Sequence, residues 1–250
     1  MDTRRNKIVE FVNQNGMVTT AELKEAFPQV SDVTLRKDLQ YLDSTLQLIR
    51  IHGGAKSIPA ALGKADDFFV RASINTESKK LIAQRAVTLL KPNNALFISA
   101  GTSCNEFVKV LPDFSMQVFT DGLATALELA SHPNVETTVL GNELDPQALR
   151  LQGQRVFEDL TYLHFDYAFF GTDGYRPEYG FVCFAPHYAN LLHAVRQHTD
   201  KMVILMDKSK VNASRAARNF PAKMVDIVVT DGQFDPSAIR SLQQTGISVL

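Results

Sequence analysis

Between Arg4 and Asn15 the apolar residues Ile8, Phe11 and Val12 stand three and four apart, which predicts a helix with one buried face, closed by Asn15-Gly16. Thr19 followed by Glu22 has the spacing of a capping box, and Leu23, Ala26 and Phe27 supply the buried stripe of a second helix that Pro28 ends. A third helix starts at Ser31 and runs to about Leu42. Its Leu35, Leu39 and Leu42 fall on one face and turn Thr34, Arg36, Lys37, Gln40 and Tyr41 outward. Leu48 to Lys56 gives two short β-like runs around Gly53-Gly54. Three helices and a small hairpin predict a winged helix-turn-helix, a unit whose last helix enters the DNA major groove.

Residues 58–76 break the periodicity with Pro59 and Gly63 and read as a linker. From Glu77 onward helices alternate with apolar strands. Strands are expected at 95–99, 117–120, 135–140, 167–170, 202–206, 227–230 and 247–249, and helices at 79–90, 101–111, 123–131, 154–163, 188–197 and 236–245. The stretch from 171 to about Pro186 reads as irregular. Such alternation implies an α/β domain, a mostly parallel sheet with helices on both faces and ligands at the carboxyl ends of its strands. The expected organisation is a DNA-binding domain over 1–57, a linker over 58–76, and an effector-sensing and oligomerisation domain over 77–250.

Composition narrows this little. With 250 residues, 45% hydrophobic and 21% charged, the chain is long enough for a second core beyond the small helical unit. Residues 1–56 carry eight Lys or Arg against seven Asp or Glu, so charge alone does not identify a DNA binder. The net charge of −1 argues against non-specific coating of nucleic acid. Cys104 and Cys183 are too few for a disulfide framework and are expected to be reduced in a cytosol. No apolar run approaches spanning length and the amino terminus is charged, so neither membrane insertion nor secretion is expected. His187, His193 and His198 lack the four-residue spacing that stacks two imidazoles on a helix. No metal site, cofactor or nucleotide fingerprint is expected.

Four predicted strand ends carry small and polar residues: Gly101-Thr102-Ser103, Thr120-Asp121-Gly122, Gly141-Asn142-Glu143 and Gly171-Thr172-Asp173-Gly174. Each alone fits a strand-to-helix turn. All four after consecutive strands fit a shared pocket, in which small residues and hydroxyls at a helix start favour an anion. Lys208-Ser209-Lys210 reads equally as a solvated turn or as part of that pocket.

Arg4 with Ile8 and Val12, then Ser31-x-x-Thr34-Leu35-Arg36-Lys37-Asp38-Leu39, then Arg50-x-His52-Gly53-Gly54-Ala55 resembles the amino-terminal signature of the DeoR family of bacterial transcription regulators. Lys80, Ile82-Ala83, Gly101-Thr102-Ser103, Thr120, Leu140-Gly141, Phe170-Gly171-x-x-Gly174, Gly180 and Asp207-x-Ser209-Lys210 resemble its effector domain, which is similar in fold to ribose-5-phosphate isomerase. The resemblance implies a repressor of carbohydrate utilisation that binds double-stranded operator DNA, and because one recognition helix seldom specifies a site alone, a homodimer or homotetramer is expected. It implies DNA contacts from Ser31, Thr34, Arg36, Lys37, Gln40, Arg50 and His52. It also implies a sugar phosphate whose phosphate meets the Gly101 loop and whose hydroxyls meet Asp121, Asp173 and Lys210, with Thr120, Gly141 and Gly171 around it. Asp38 is expected to be a structural partner of an arginine or helix end.

Several positions depart from the family pattern: Ser99 replaces an Asp, Asp121 an Asn, Asn142 a Gly, and Leu192 a basic residue. The alternative is an isomerase-like enzyme with an accessory amino-terminal domain, using Asp121, Asp173 and Lys210 as base and cation.

Overall fold

The computed structural model describes residues 2–45, 47–51, 53–57, 68–183, 185–211 and 218–250. The chain divides into two compact units, Met1–Ile74 and Asn75–Leu250.

In the first unit, α1 (Asp2–Asn15), α2 (Thr20–Ala26) and α3 (Asp32–Ser44) close around Ile8, Val12, Leu23, Leu35, Leu39 and Leu42. The capping box forms: Thr19 Oγ1 accepts from the Glu22 N–H at 3.2 Å, and the Glu22 carboxylate accepts from the Thr19 N–H at 2.7 Å. Ser31 caps α3 by accepting from the Thr34 N–H at 3.2 Å. The wing is present but has three strands instead of two. The additional one, β1 (Met17–Thr19), and β2 (Ile49–Ile51) flank β3 (Gly54–Lys56) in antiparallel order. Three residues with one buried side chain, Val18, are too short to show periodicity in the sequence. A short helix α4 (Phe68–Ser73) occupies part of the expected linker, whose residues 58–67 lie outside the described residues.

The second unit is built on β4 (Ala95–Ile98), β5 (Met116–Thr120), β6 (Val135–Val139), a ribbon of β7 (Glu143–Asp145) and β8 (Arg150–Gln152), β9 (Phe165–Phe170), the pair β10 (Gly174–Arg176) and β11 (Gly180–Cys183), β12 (Thr199–Met206), β13 (Arg218–Phe220), β14 (Ile227–Thr230) and β15 (Ser248–Val249). Seven of these form one sheet in the order β15-β14-β12-β9-β4-β5-β6, and every neighbouring pair is parallel. One face packs on α5 (Thr76–Ala86), α6 (Thr102–Val108) and α7 (Leu123–Leu129). The other packs on α8 (Gln154–Leu160), α9 (Pro186–Gln197) and α10 (Pro236–Gln244). Alternation decides the layer: Ala168 and Phe170 of β9 face the second set, and Phe169 between them faces the first. Burial on both faces is why the central strands β4, β12 and β14 read as apolar runs, whereas the edge strand β6 carries Glu136, Thr137 and Thr138.

The chain begins the sheet at β4, moves outward through β5 and β6, then returns to lay β9 on the other side of β4. Connections leaving adjacent strands in opposite directions open a crevice at their carboxyl ends. The segment expected to be irregular after Phe170 instead supplies β10 and β11, which with β13 make a small antiparallel sheet.

Gly54 is where the wing has no room to spare, because a Cβ there would strike the Val18 carbonyl oxygen. Gly54→Ala should therefore lower the stability of the first unit by on the order of 1–3 kcal/mol, the cost of overpacking a filled site. A denaturation series on the full chain checks this; an unchanged midpoint would mean that the wing strands separate at little cost.

Candidate DNA-recognition face and ligand pocket

The face of α3 opposite its leucines is open to solvent. Ser31, Arg36, Lys37 and Gln40 are exposed, as is Arg50 on β2, while Thr34 is half-buried with its hydroxyl 2.8 Å from that of Ser31. His52 lies outside the described residues. The backbone N–H of Arg50 donates to Asp43 Oδ1 at 2.9 Å, which fixes the start of the wing against the end of α3. At the other end of α3 a cleft of about 720 Å³ is lined by Arg4, Lys7, Phe27, Gln29, Ser31 and Thr34 among others. Its two cations and hydroxyls match what phosphate contacts use.

Asp38 sits on the inner side of α3 and is buried, as expected of a structural partner. It accepts from Arg4 Nε at 2.7 Å and from Arg5 Nε at 2.9 Å, and the Arg5 guanidinium lies 3.8 Å above the Tyr41 ring. Burial pushes the Asp38 carboxyl upward, but the two arginine hydrogen bonds outweigh it and hold the group below the usual carboxylate range. Two residues at the start of α1 thus clamp α3. Lys24 adds a second tie by donating from Nζ to the Val30 carbonyl at 2.6 Å, across the turn between α2 and α3. The roles of Arg5 and Lys24 were not legible in the sequence, since nothing in their spacing names a partner over 30 residues away or across a turn.

In the second unit every effector candidate falls at the carboxyl edge of the one parallel sheet. Gly101, Thr102 and Ser103 follow β4; Thr120 ends β5 and Asp121 follows it; Gly141 comes after β6, Gly171 and Asp173 after β9, and Lys210 after β12. They do not all converge. Strands lie about 4.8 Å apart, so the ends of β6 and β12 are roughly 19 Å apart, farther than a pentose phosphate reaches. The ends of β5, β4 and β9 are the ones brought together.

Within that centre the residues divide by what they already hold. The Thr120 hydroxyl accepts from the Gly122 N–H at 3.0 Å, and that of Thr172 bonds with Gly174 and Val182, so both organise turns. A Cβ at Gly141 would meet Leu151 at 2.9 Å, so this glycine makes room for the ribbon. At Gly101 and Gly171 a Cβ would meet nothing within 4 Å, which leaves open space on either side of the crevice. Ser103, Asp173 and Lys210 are half-buried, and Thr102 is buried. Leu192 points into the core.

Asp121 is fully buried. Its Oδ1 accepts from the Ala100 N–H at 2.6 Å, and its Oδ2 lies 3.3 Å from Nε of Arg150, a residue of the ribbon. Burial pushes the Asp121 carboxyl above its ordinary value, against the pull of Arg150 and the Ala100 N–H. The Arg150 guanidinium also lies 4.3 Å above the Tyr188 ring, and Tyr188 donates from its hydroxyl to the Gly171 carbonyl at 3.1 Å. Arg150 was missed in the sequence; the one signal was Asp121 itself, since a carboxylate buried at the end of an apolar strand needs compensating donors, of which a cation is one. Burial pushes both thiols, Cys104 and Cys183, up to about 12, which leaves them protonated and unreactive. Among the described residues no cluster of three or more His, Cys, Asp or Glu could hold a metal ion, and no helix is long and apolar enough to cross a membrane.

The sequence matches the DeoR C terminal sensor domain over residues 74–232 and the DeoR-like helix-turn-helix domain over residues 4–60. The chain belongs to the DeoR family. Among DeoR relatives, the HTH-type transcriptional regulator GolR of Listeria innocua is 30% identical, over 98% of this chain and 96% of its own. The glycerol-3-phosphate regulon repressor of Escherichia coli K12 is 27% identical, over 96% and 94%. The lactose phosphotransferase system repressor of Staphylococcus epidermidis is 26% identical, over 91% of each chain. Among solved structures, ribose 5-phosphate isomerase A of Methanocaldococcus jannaschii aligns over 55% of each chain with a TM-score of 0.41 and 15% identity. Membership in the DeoR family makes this chain a DNA-binding transcriptional regulator with a sensor domain, not an enzyme, and sets the isomerase alternative aside.

The clamp on α3 has a pH signature. The folded-state pKa of Asp38 lies below its unfolded value of about 3.9, so its stabilisation is complete above that value and is lost as pH falls through the folded one. Asp38→Asn should cost on the order of 1–3 kcal/mol at neutral pH and flatten the acid limb of the stability profile. Urea midpoints between pH 2 and 7 for both proteins measure this, and parallel profiles would refute the clamp.

Proposed function

We propose that the protein represses a carbohydrate-utilisation operon, holding double-stranded operator DNA through α3 and the wing and responding to a sugar phosphate or related metabolite at the carboxyl edge of the sheet. It does so in the cytoplasm as a homodimer or homotetramer. In this reading residues 1–57 bind DNA, 58–76 link, and 77–250 sense the effector and assemble. The observation that carries it is the outward face of α3, where Arg36, Lys37 and Gln40 stand free of the core that holds Leu35, Leu39 and Leu42. Arg reads guanine and Gln reads adenine edges in the major groove, and Lys holds phosphate or guanine. Relatives named as repressors of a glycerol-3-phosphate regulon and of a lactose phosphotransferase system support the metabolite class.

Assembly is supported by the surface of the second unit. Leu123 and Leu127 stand four apart on α7 and are 41% and 78% exposed, and Val139 on the adjoining edge strand β6 is 42% exposed. Apolar residues grouped on one edge favour a copy of the same surface, and a pair of recognition helices specifies a site that one does not.

Two measurements test the reading. Footprinting on DNA flanking the protein's own gene should show a protected, two-fold related site, and Arg36→Ala should weaken it by about 1–3 kcal/mol if Arg36 grips a base edge. Equal protection by a folded Arg36→Ala protein would remove α3 from the interface. Sedimentation at tens of micromolar should give a dimer or larger species that Leu127→Glu dissociates; a wild-type monomer would overturn the assembly.

A further inference from the structure

Arg150 is a buried charged residue of the sensor domain whose partners leave most of its donors unfilled. Its backbone is fixed on all sides. Arg150 pairs with Asp145 across the ribbon, the Leu151 N–H donates to the Asp121 carbonyl at 2.7 Å, and the Leu123 N–H donates to the Leu149 carbonyl at 2.8 Å. Leu149 just before it has φ +47°, a left-handed conformation that a residue with a Cβ rarely adopts. The ribbon is thus held in a strained shape that sends the Arg150 side chain over the ends of β5, β4 and β9.

There Arg150 is only 6% exposed, yet its guanidinium is loosely held. A guanidinium offers five N–H donors. The nearest acceptors are Asp121 Oδ2 at 3.3 Å from Nε and the Ala100 carbonyl at 3.5 Å from Nη2, both longer than the usual distance of about 2.9 Å. Arg150 Nε and Asp121 Oδ2 make no well-aligned hydrogen bond among the described residues, and neither does Ser99 Oγ, although the Ser99 hydroxyl lies near enough to the Asp121 carboxyl to favour its charged form; all three side chains are more than nine-tenths buried. A buried ion pair is stable only when its remaining donors and acceptors are satisfied. Open space at the Cβ positions of Gly101 and Gly171 adjoins the same strand ends.

We propose that Arg150 is the anion-holding residue of the ligand site, and that Asp121 and Ser99 accept hydrogen bonds from hydroxyls of the same ligand. This rests on the sensor reading above and goes further by naming the groups that select. An oxyanion, phosphate or carboxylate, fills the free donors of the guanidinium in a forked arrangement. Asp121 repels a bare anion at that place, and a hydroxyl beside the oxyanion offsets the repulsion by donating to Oδ2. The pair therefore favours a polyhydroxy anion over inorganic phosphate and over a neutral sugar.

The test uses the full chain and thermal-shift titrations with inorganic phosphate, D-ribose 5-phosphate and D-gluconate, each against chloride at equal ionic strength. At least one of these anions should give a saturating shift in wild type. Arg150→Gln should weaken it at least tenfold, and which anion saturates at lower concentration separates phosphate from carboxylate. Should Arg150→Gln leave Asp121 uncompensated and the protein unfolded, the neutral double variant Asp121→Asn with Arg150→Gln gives the same reading. Asp121→Asn alone should bind inorganic phosphate more tightly while losing preference for the hydroxylated anion, a split that a merely structural pair would not produce. A wild type that responds to none of the three, or a folded Arg150 variant with wild-type affinity, overturns the proposal. Footprinting with the same proteins keeps the two readings apart. DNA protection without anion binding sinks only the role of Arg150, whereas anion binding without DNA protection sinks only the repressor.

Discussion

A parallel sheet covered on both faces by helices has no dry surface to spare for polar chemistry, so its polar groups collect where the strands end. In this sensor domain the carboxyl ends of β5, β12 and β14 each lead into a buried aspartate: Asp121, Asp207 and Asp231. Each is held by a backbone N–H near its own turn or the next one, from Ala100, Ser209 and Gln233 respectively. Asp207 also accepts from Asn75 at 3.2 Å. Only Asp121, beside the reversal of strand order between β4 and β5 on one side and β9 on the other, has an arginine brought over it by a separate ribbon. The architecture thus leaves the sheet interior uniform and concentrates its chemical individuality at one crevice.

The DNA-binding unit solves a related problem on a smaller scale. Its core is a single small cluster from three helices and the wing, and charged ties supplement its apolar packing. The buried Asp38 with Arg4 and Arg5 ties α1 to α3, and Lys24 ties the turn between α2 and α3. Both ties lie at the inner side or the start of α3 and leave Arg36, Lys37 and Gln40 at the surface. A helix that must present side chains to DNA in a set direction is held by charges on the face it hides.

The longer helices and the central strands were legible because each has a period long enough to repeat: Leu35, Leu39 and Leu42 on α3, and the apolar run of β9; the six-residue α4 was read as linker. The capping box at Thr19 and Glu22 and the cap at Ser31 were legible because they act over three residues. The short elements were not. Strand β1, the ribbon β7 and β8, and the pair β10 and β11 have three or four residues each and owe their form to pairing with segments already in place. Among candidate ligand residues, the loops at Gly101 and Gly171 do flank one crevice, whereas Gly141 turned out to accommodate the ribbon.

By itself the sequence determined where the longer helices and the central strands would lie, and that the polar residues after those strands would share one edge, because these follow from local periodicity and from the parallel direction that strand-helix alternation imposes. Strand order was decided only in three dimensions. It sets Gly171 beside Gly101 and Lys210 well away from Gly141, although the chain gives no local sign of either relation. The same holds for Arg150 and Asp121, separated by 29 positions and joined over the end of a sheet by a ribbon with a strained leucine. Charge pairing in a buried site depends on distance through space, and distance through space is what a linear pattern of residues does not carry.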